Sequence, residues 1–279
     1  MKNGIWSNIQ KLFPFIGLAT ILIVFSFLSG GRLWQLQNLQ SVLNTMIPIC
    51  LGGGGMIFVS AQGSTNMSMG STLALSGAIA GLVSNALGFW SFVPTALLVG
   101  LVVGIFNGVM VSKFKVSSLM VTLSMLIALR ALVTLLTSGQ PIFVDFAILN
   151  FSTMPVKLPI FLGAMVILWY MFEHTKLGHF SRCMGENEMV GRFSGIPVDR
   201  YKIFAFALSG LLAGLVGVFT VPNFAGVSPT MGNFYEMQVM IAMYVGGIQV
   251  RGGAQSKFYK LIVGAMTLAF LQNGLTISR

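Results

Sequence analysis

Residues 91–111 read SFVPTALLVGLVVGIFNGVMV, a run of 21 residues without a single charged side chain. A helix that crosses the hydrocarbon core of a bilayer needs about 20 mostly apolar residues. A run of this length and composition therefore predicts a membrane-spanning helix, and the rest of the chain can be compared with it.

The whole composition agrees with that prediction. Of the 279 residues, 55% are hydrophobic and 8% are charged, and the mean hydropathy is +0.87. A soluble domain carries about a quarter charged residues, so this chain has too few to cover a surface that faces water. The chain is predicted to be an integral membrane protein.

Apolar runs of similar character recur along the chain, and no stretch long enough for a soluble domain separates them. They predict an all-α polytopic transmembrane helical bundle of about nine spans, folded as a single domain over residues 1–279. The segments are 12–30, 42–61, 69–87, 91–111, 117–137, 158–172, 203–221, 237–250 and 259–277.

The basic residues predict an orientation. The net charge is +10, but the basic residues lie in short gaps between apolar runs, which disfavours nucleic acid as a partner and is typical of the positive-inside distribution. With the N-terminus in the cytoplasm, the outside holds Arg32, Lys157 and Arg279, and Arg130 falls within a span. The inside residues are Lys2, Lys11, Lys113, Lys115, Lys176, Arg182, Arg192, Arg200, Lys202, Arg251, Lys257 and Lys260.

Small residues recur at helical spacing in three of these segments. Such ridges allow helix backbones to approach closely in lipid, and we expect ordinary helix packing there rather than a binding site. The ridges are Gly77 with Gly81, Gly100 with Gly104 and Gly108, and Gly210 with Gly214.

Groups that could carry chemistry are scarce. On this map none of the six acidic residues lies in the middle of a span, whereas a proton-driven carrier usually has a titratable group at membrane depth. There is also no phosphate-binding GxxxxGK[ST] loop and no HExxH motif. We therefore expect no catalytic residue, no metal site and no cofactor on this chain, and an energy source on a partner. Arg130 is expected to snorkel or to bind backbone carbonyls, with a solute contact as the alternative.

The hydrophilic stretch 173–202 contains a short predicted helix. Asn187 is a suitable N-cap, Gly195 can end the helix in a left-handed conformation, and Asp199 can cap the next span. Met189 and Phe193 are four residues apart and so share one face. That apolar face could bind a groove on a partner or lie on the bilayer surface, and the residues alone leave both open.

The stretch Gly185–Val198 is similar to the cytoplasmic coupling loop of ribose-type ABC permeases, a family that includes branched-chain amino acid permeases. The family pattern runs roughly G-G-N-x-x-A-A-R-x-S-G-I. This chain departs from it at Glu186 and at Val190-Gly191. It retains Gly185, Asn187, Arg192, Ser194, Gly195 and Ile196.

Further motifs resemble the family in the same order along nearly the whole chain. The family aspartate is replaced here by Asn66, and the resemblance implies a tenth span after the ninth, so we expect a truncated chain. The motifs are Gly55-Met56 through Gly63, Asn66 through Ser71, Asn107-Gly108, Val121 through Leu123, Gly139 through Ile142, Tyr235-Glu236, Gly246-Gly247, Gly252-Gly253 and Asn273 through Leu275.

The resemblance implies the permease subunit of an ATP-driven importer for a sugar or similar small polar solute, in a bacterial inner (plasma) membrane. Its expected partners are cytoplasmic ABC ATPases that carry the ATP and Mg²⁺, a second identical or different permease subunit, and an extracytoplasmic solute-binding protein. The expected ATPase-coupling residues are Gly185, Asn187, Met189, Val190, Arg192, Phe193, Ser194 and Gly195, and the expected pathway residues are Gln62, Asn66, Ser68 and Asn107.

Two other functions remain open from the sequence. A passive channel or facilitator would need neither a proton relay nor a nucleotide site, but it would leave the coupling-loop motif unexplained. A degenerate, truncated partner subunit with a structural role would account for Asn66 and for the missing tenth span.

Overall fold

The computed structural model describes residues 2–249 and 252–278, and over 2–13 it describes the backbone alone. Arg251, predicted to lie on the inside, and Arg279, predicted to lie on the outside, are not among the described residues. The helices are α1 (Lys2–Leu28), α2 (Leu36–Ala61), α3 (Met69–Leu87), α4 (Phe92–Ser112), α5 (Ser118–Thr137), α6 (Met154–His174), α7 (Lys176–Glu186), α8 (Glu188–Phe193), α9 (Val198–Asn223), α10 (Tyr235–Val245) and α11 (Phe258–Ile277). A single antiparallel pair, β1 (Ile142–Phe143) with β2 (Gly226–Val227), is the only sheet among the described residues.

Seven helical segments of the described chain are long and apolar enough to cross a membrane, and they confirm seven of the predicted spans. They are Leu36–Ala61, Met69–Leu87, Phe89–Ser112, Ser118–Thr137, Met154–His174, Val198–Asn223 and Phe258–Ile277. The first predicted segment corresponds to the apolar stretch Pro14–Leu28 within α1. The all-α polytopic fold is thus as predicted.

The predicted span 237–250 is wrong in its length. Helix α10 has 11 residues, so it rises only about 17 Å at 1.5 Å per residue, roughly half of the hydrocarbon thickness. Gly246 and Gly247 follow it, and Gly247 has a positive φ of 84° that ends the helix. The connection 224–234, which precedes α10, reaches into the bundle as far as Gly70.

Helix α2 lies at the centre of the bundle because its sequence Gly52-Gly53-Gly54-Gly55 lets a neighbour approach on every side. Each glycine faces a different helix at a distance that a Cβ would violate. The facing residues are Tyr235 of α10, Leu261 of α11, Leu168 of α6 and Ser209 of α9. Four successive glycines point in four directions around a helix, which explains why α2 contacts four other helices at this level.

The glycine ridges of α4 and α9 serve helix packing, as predicted, and the structure shows that they pack against each other. A Cβ on Gly104 would overlap the backbone of Phe206 and Ala207, and Gly100 lies against the backbone of Gly210 and Gly214. The two helices therefore meet backbone to backbone, which is the role expected of small residues in membrane helices.

The connections between helices lie on two opposite faces. On the first, the basic face, Gln62 contacts Ser181, and the backbone N–H of Phe258 donates to Glu173. On the opposite face, Asn85 contacts the carbonyl of Phe143, and β1 pairs with β2. The connections predicted to share the cytoplasmic side therefore do lie together.

Lys157 corrects the prediction that it lies in an outside loop. It is part of α6 and its side chain is fully buried. Its Nζ donates to Oδ1 of Asn44 at 2.9 Å and lies 6.0 Å from the ring centre of Phe219. Hydropathy does not report tertiary burial, so a hydrophilic residue near a helix end is predicted to lie in a loop.

Candidate functional site

A chain of hydrogen bonds joins four buried polar side chains at the break between α2 and α3. Nδ2 of Asn66 donates to Oγ of Ser209 at 3.0 Å. Oδ1 of Asn66 accepts from the backbone N–H of Ser68 at 3.1 Å and from its hydroxyl at 2.9 Å. Nδ2 of Asn107 donates to the Ser68 hydroxyl at 2.9 Å. Three predicted pathway residues, Asn66, Ser68 and Asn107, thus form one cluster.

This cluster, which we call the polar break, lies within the bundle rather than at its surface. Asn107 lies five residues before the end of α4, and Ser209 is the twelfth residue of α9. Irregular backbone at such depth is tolerated only where protein buries it or where it lines a cavity. Sequence reasoning missed Ser209, because a serine inside an apolar helix carries no signal without its tertiary neighbour.

Gln62, the fourth predicted pathway residue, lies apart from the polar break. Its Nε2 donates to Oγ of Ser181 at 3.0 Å and to the carbonyl of Tyr201 at 3.2 Å. It therefore connects the end of α2 to α7 and α9 on the basic face. Oε1 of Gln62 and Oδ1 of Asn107 are buried acceptors without a partner among the described residues.

A second polar group lies where the connection 224–234 enters the bundle. Arg130, the thirteenth residue of α5, donates to the carbonyls of Pro229, at 3.2 Å, and Met231. The expectation that Arg130 binds backbone carbonyls is confirmed. Gly232 touches Gly70 in the first turn of α3 so closely that neither position has room for a Cβ.

Glu236 corrects the conclusion that no acidic residue lies at membrane depth. It stands in the first turn of α10, is buried, and lies beside Gly70 and within electrostatic range of Arg130. The sequence map placed it just before a full span, but α10 begins inside the bundle. The absence of a buried carboxylate is thus no longer an argument against a proton-driven carrier.

The predicted coupling helix is present as α8, with the predicted ends. Oδ1 of Asn187 accepts from the backbone N–H groups of Met189 and Val190 at 3.0 and 3.2 Å, which is N-capping. After Ser194, Gly195 has φ +79°, and Ile196 N–H donates back to the carbonyl of Gly191. This is the left-handed helix end expected of glycine.

The apolar face of α8 projects away from the protein. Met189, Val190 and Phe193 are 61%, 59% and 86% exposed, and only Gly191 of this helix is buried. Large apolar side chains concentrated on a short polar-flanked helix indicate an interaction surface.

Ion pairs fix α8 to the start of α9. Arg192 pairs with Glu188 at 3.0 Å and with Asp199 at 2.8 Å, and Lys202 pairs with Glu188 at 2.6 Å. The prediction that Asp199 caps α9 is wrong: Pro197 occupies the cap position and makes no side-chain bond, while Asp199 binds Arg192.

The charge of Glu188 is favoured by its partners. Partial burial alone would raise its pKa, but hydrogen bonds from Lys202 and Arg192 outweigh burial, and the pKa lies below its ordinary value. A carboxylate with a depressed pKa stabilises the folded state above its unfolded pKa and loses that contribution only in acid. The α8 anchor is therefore charged throughout the neutral range.

Backbone contacts join the loop that carries α8 to the bundle. Gly185 lies against the carbonyl of Ala61 and the N–H of Gly253 with no space for a Cβ. Glu186, where this chain departs from the family pattern, accepts a hydrogen bond from the N–H of Ala254 at 2.7 Å. The loop that carries α8 is thus tied to the end of α2 and to the segment before α11.

Comparison with known proteins agrees with this architecture. The family model described as "Branched-chain amino acid transport system / permease component" matches residues 38–278. No solved structure matches the chain.

Individual relatives align over nearly the whole chain. The ribose import permease protein RbsC of Escherichia coli (strain K12) is 33% identical over 98% of this chain and 87% of its own length. Its namesake in Haemophilus influenzae is 32% identical over 94% of this chain and 84% of its own. The L-arabinose transport system permease protein AraH of Escherichia coli (strain K12) is 27% identical over 92% and 82%, respectively.

Proposed function

The chain belongs to the family of branched-chain amino acid transport system permease components, and from that premise we propose that it is the membrane-spanning permease subunit of an ATP-driven importer for a sugar or similar small polar solute. Ribose and L-arabinose are the solutes in the names of its relatives. A neutral, polar solute also fits the amide and hydroxyl side chains of the polar break. Oδ1 of Asn107 is buried without a hydrogen-bond partner among the described residues, and a solute hydroxyl would bind it only when the cluster opens.

The observation that carries this proposal is the exposed apolar face of α8. Family membership implies a cytoplasmic ATPase that binds and hydrolyses ATP with Mg²⁺, and the three side chains Met189, Val190 and Phe193 fit an amphipathic helix seated in a groove of that partner. In this proposal a second permease subunit completes the assembly. A solute-binding protein delivers solute to the opposite face, outside the bacterial inner membrane.

Motion of α8 has a physical route to the polar break. Displacement of the coupling loop is carried by the Gly185–Ala61 contact and by the Gln62 side chain, which holds Ser181 and Tyr201. Ala61 and Gln62 lie at the end of α2, five and four residues before Asn66, respectively. Closure of the ATPases would therefore shift the segment 62–68 and change access to the pathway.

The buried carboxyl group of Glu236 is the kind of group that a proton-driven carrier would use. Its carboxylate lies next to the first turn of α3 and near Arg130, where a helix N-terminus and a cation both favour a fixed negative charge. Burial opposes that charge, and Oε2 has no hydrogen-bond partner among the described residues, so the uptake experiment below must distinguish a fixed anion from a group that gains and loses a proton in each cycle.

The test is uptake into proteoliposomes that contain the permease, its ATPase and its solute-binding protein. Uptake of labelled ribose or arabinose should require ATP on the ATPase side and should stop when ATP is depleted. Uptake that follows the solute gradient without ATP would indicate a passive channel, and uptake driven by a pH gradient would indicate a proton-coupled carrier. Uptake that persists when this subunit is omitted would indicate a degenerate partner.

A further inference from the structure

A cavity of about 510 Å³ opens on the face opposite to the coupling helix. This outer pocket lies between the β1–β2 pair, the end of α9 and the connection 224–234. Its volume falls within the range of about 300–1,000 Å³ that is typical of small-molecule sites. The lining residues include Phe143, Thr220, Phe224, Ser228, Thr230 and Asn233.

Two aromatic rings form the walls of the outer pocket. Phe143 and Phe224 are 73% and 71% exposed, and both line the cavity. The β1–β2 pairing fixes the backbone of Phe143, which is opposite Gly226, and Phe224 caps the end of α9 with its N–H bonded to the carbonyls of Val221 and Pro222. The backbone of β1 approaches Gly226 so closely that a Cβ there would overlap Ile142. Exposed rings on anchored backbone are available to stack on the apolar face of a ligand ring.

The polar groups of the outer pocket are neutral. Ser228 and Thr230 place their hydroxyl oxygens 3.0 Å apart, and Asn233 and Thr220 add an amide and a hydroxyl. No charged residue is among the lining residues described. By contrast, a cavity of about 500 Å³ on the basic face is lined by Lys115, Glu188, Arg192 and Lys202. The outer pocket is thus matched to an uncharged ligand rich in hydroxyl groups.

The floor of the outer pocket is held by a partly buried cation. Arg130 binds the carbonyls of Pro229 and Met231, and Gly232 rests on Gly70. These contacts fix the backbone that presents Ser228, Thr230 and Asn233. A charged side chain at membrane depth costs free energy, and positioning this floor accounts for its presence in α5.

We propose that the outer pocket binds a neutral monosaccharide, stacked between Phe143 and Phe224 and hydrogen-bonded by Ser228, Thr230 and Asn233, as the solute leaves its binding protein. This inference rests on the function proposed above, because it assigns the pocket as the first site on the permease that the transported sugar occupies. Gly232, which lines the pocket, contacts Gly70, two residues after Ser68 of the polar break, so in this proposal the solute passes that contact to reach the polar break.

The experiment uses the complete complex in proteoliposomes and the variants Phe143→Ala, Phe224→Ala and Asn233→Ala. Phe146→Ala is the matched control, because Phe146 is 86% exposed, follows β1 on the same face and does not line the pocket. Each pocket variant should lower ATP-driven ribose or arabinose uptake by about tenfold. Hydrolysis of ATP stimulated by the binding protein should persist, and the control should match the native complex.

A second measurement decides the site without relying on transport. A diazirine-bearing ribose should label peptides that contain 141–143 or 224–233, and excess ribose should suppress the labelling. Native uptake in the variants, or labelling confined to other regions, would overturn the proposal. So would a loss of stimulated ATP hydrolysis or of subunit assembly, since that would make the pocket a protein interface. A native complex that shows no ATP-driven uptake would refute the proposed function. In that case the labelling would still show whether ribose binds in the pocket.

Discussion

Asn66 shows how one side chain can hold three helices. Its amide nitrogen bonds Ser209 of α9, and its oxygen bonds Ser68, which in turn bonds Asn107 of α4. Both ends of the amide are satisfied inside the protein, so in this conformation Asn66 packs helices together. Its place on the solute pathway stays a prediction.

Replacement of Asn66 gives a prediction at the residue scale. Asn66→Ala leaves the Ser68 N–H buried without its acceptor, which should destabilise the protein by about 1–3 kcal/mol and lower the melting temperature in detergent. Asn66→Asp, the family residue, retains the acceptor at the start of α3, where a negative charge is favoured, and should melt close to the native protein. Equal losses in both variants would contradict this account.

Local sequence predicted some residues well and others poorly, for a physical reason. The Asn187 cap and the Gly195 terminus depend only on neighbours a few residues away, so both were predictable. Lys157, Ser209 and Glu236 owe their surroundings to contacts with distant helices. A single sequence does not contain those contacts in readable form.

At the element scale, the α4–α9 interface depends on the absence of side chains. Gly104→Leu would drive a side chain into the backbone of α9 at Phe206 and Ala207, so the folded protein should be lost or strongly destabilised. Gly163→Leu is the matched control, because Gly163 lies in the membrane helix α6 with no atom within 4 Å of its Cβ position. The measurement is the monodisperse fraction in size-exclusion chromatography.

The comparison with Gly163→Leu also defines the result that would contradict this account. Both variants add the same side chain and the same hydrophobicity to a membrane helix, so a difference between them reports packing alone. If Gly104→Leu yields as much monodisperse protein as Gly163→Leu, then α4 and α9 do not pack through their glycines.

The length and depth of α10 could not be predicted from hydropathy. Residues 237–250 are apolar enough to resemble a span, but hydropathy measures composition and not depth. The element begins inside the bundle because Arg130 and Gly70 hold the preceding connection there. Half-helices whose ends meet within the membrane are common around transporter binding sites, and recognising one requires the contacts that end it.

At the scale of the whole molecule, the distribution of basic residues predicts which face is cytoplasmic. In a background with Cys183→Ser, which leaves only the buried Cys50, Ser194→Cys should react with membrane-impermeant maleimide only from the cytoplasmic side. Asn150→Cys should react only from the outside. Both positions are exposed, so accessibility depends on sidedness, and reversed labelling at both would overturn the orientation.

The central claim is that α8 couples this permease to an ATPase, and Phe193 tests it most directly. Loss of a buried aromatic anchor at an interface commonly costs on the order of 2 kcal/mol or more, so Phe193→Ala should weaken ATPase association about thirtyfold. The matched control is Phe114→Ala, because Phe114 is 67% exposed on the same face but lies outside α8.

The measurement is titration of the ATPase onto purified permease variants at equal concentration, followed by solute-stimulated ATP hydrolysis. We predict that Phe193→Ala loses association and stimulated hydrolysis while its membrane helices remain folded, and that Phe114→Ala keeps both. Full association and full stimulated hydrolysis by Phe193→Ala would contradict the claim that α8 is the coupling element.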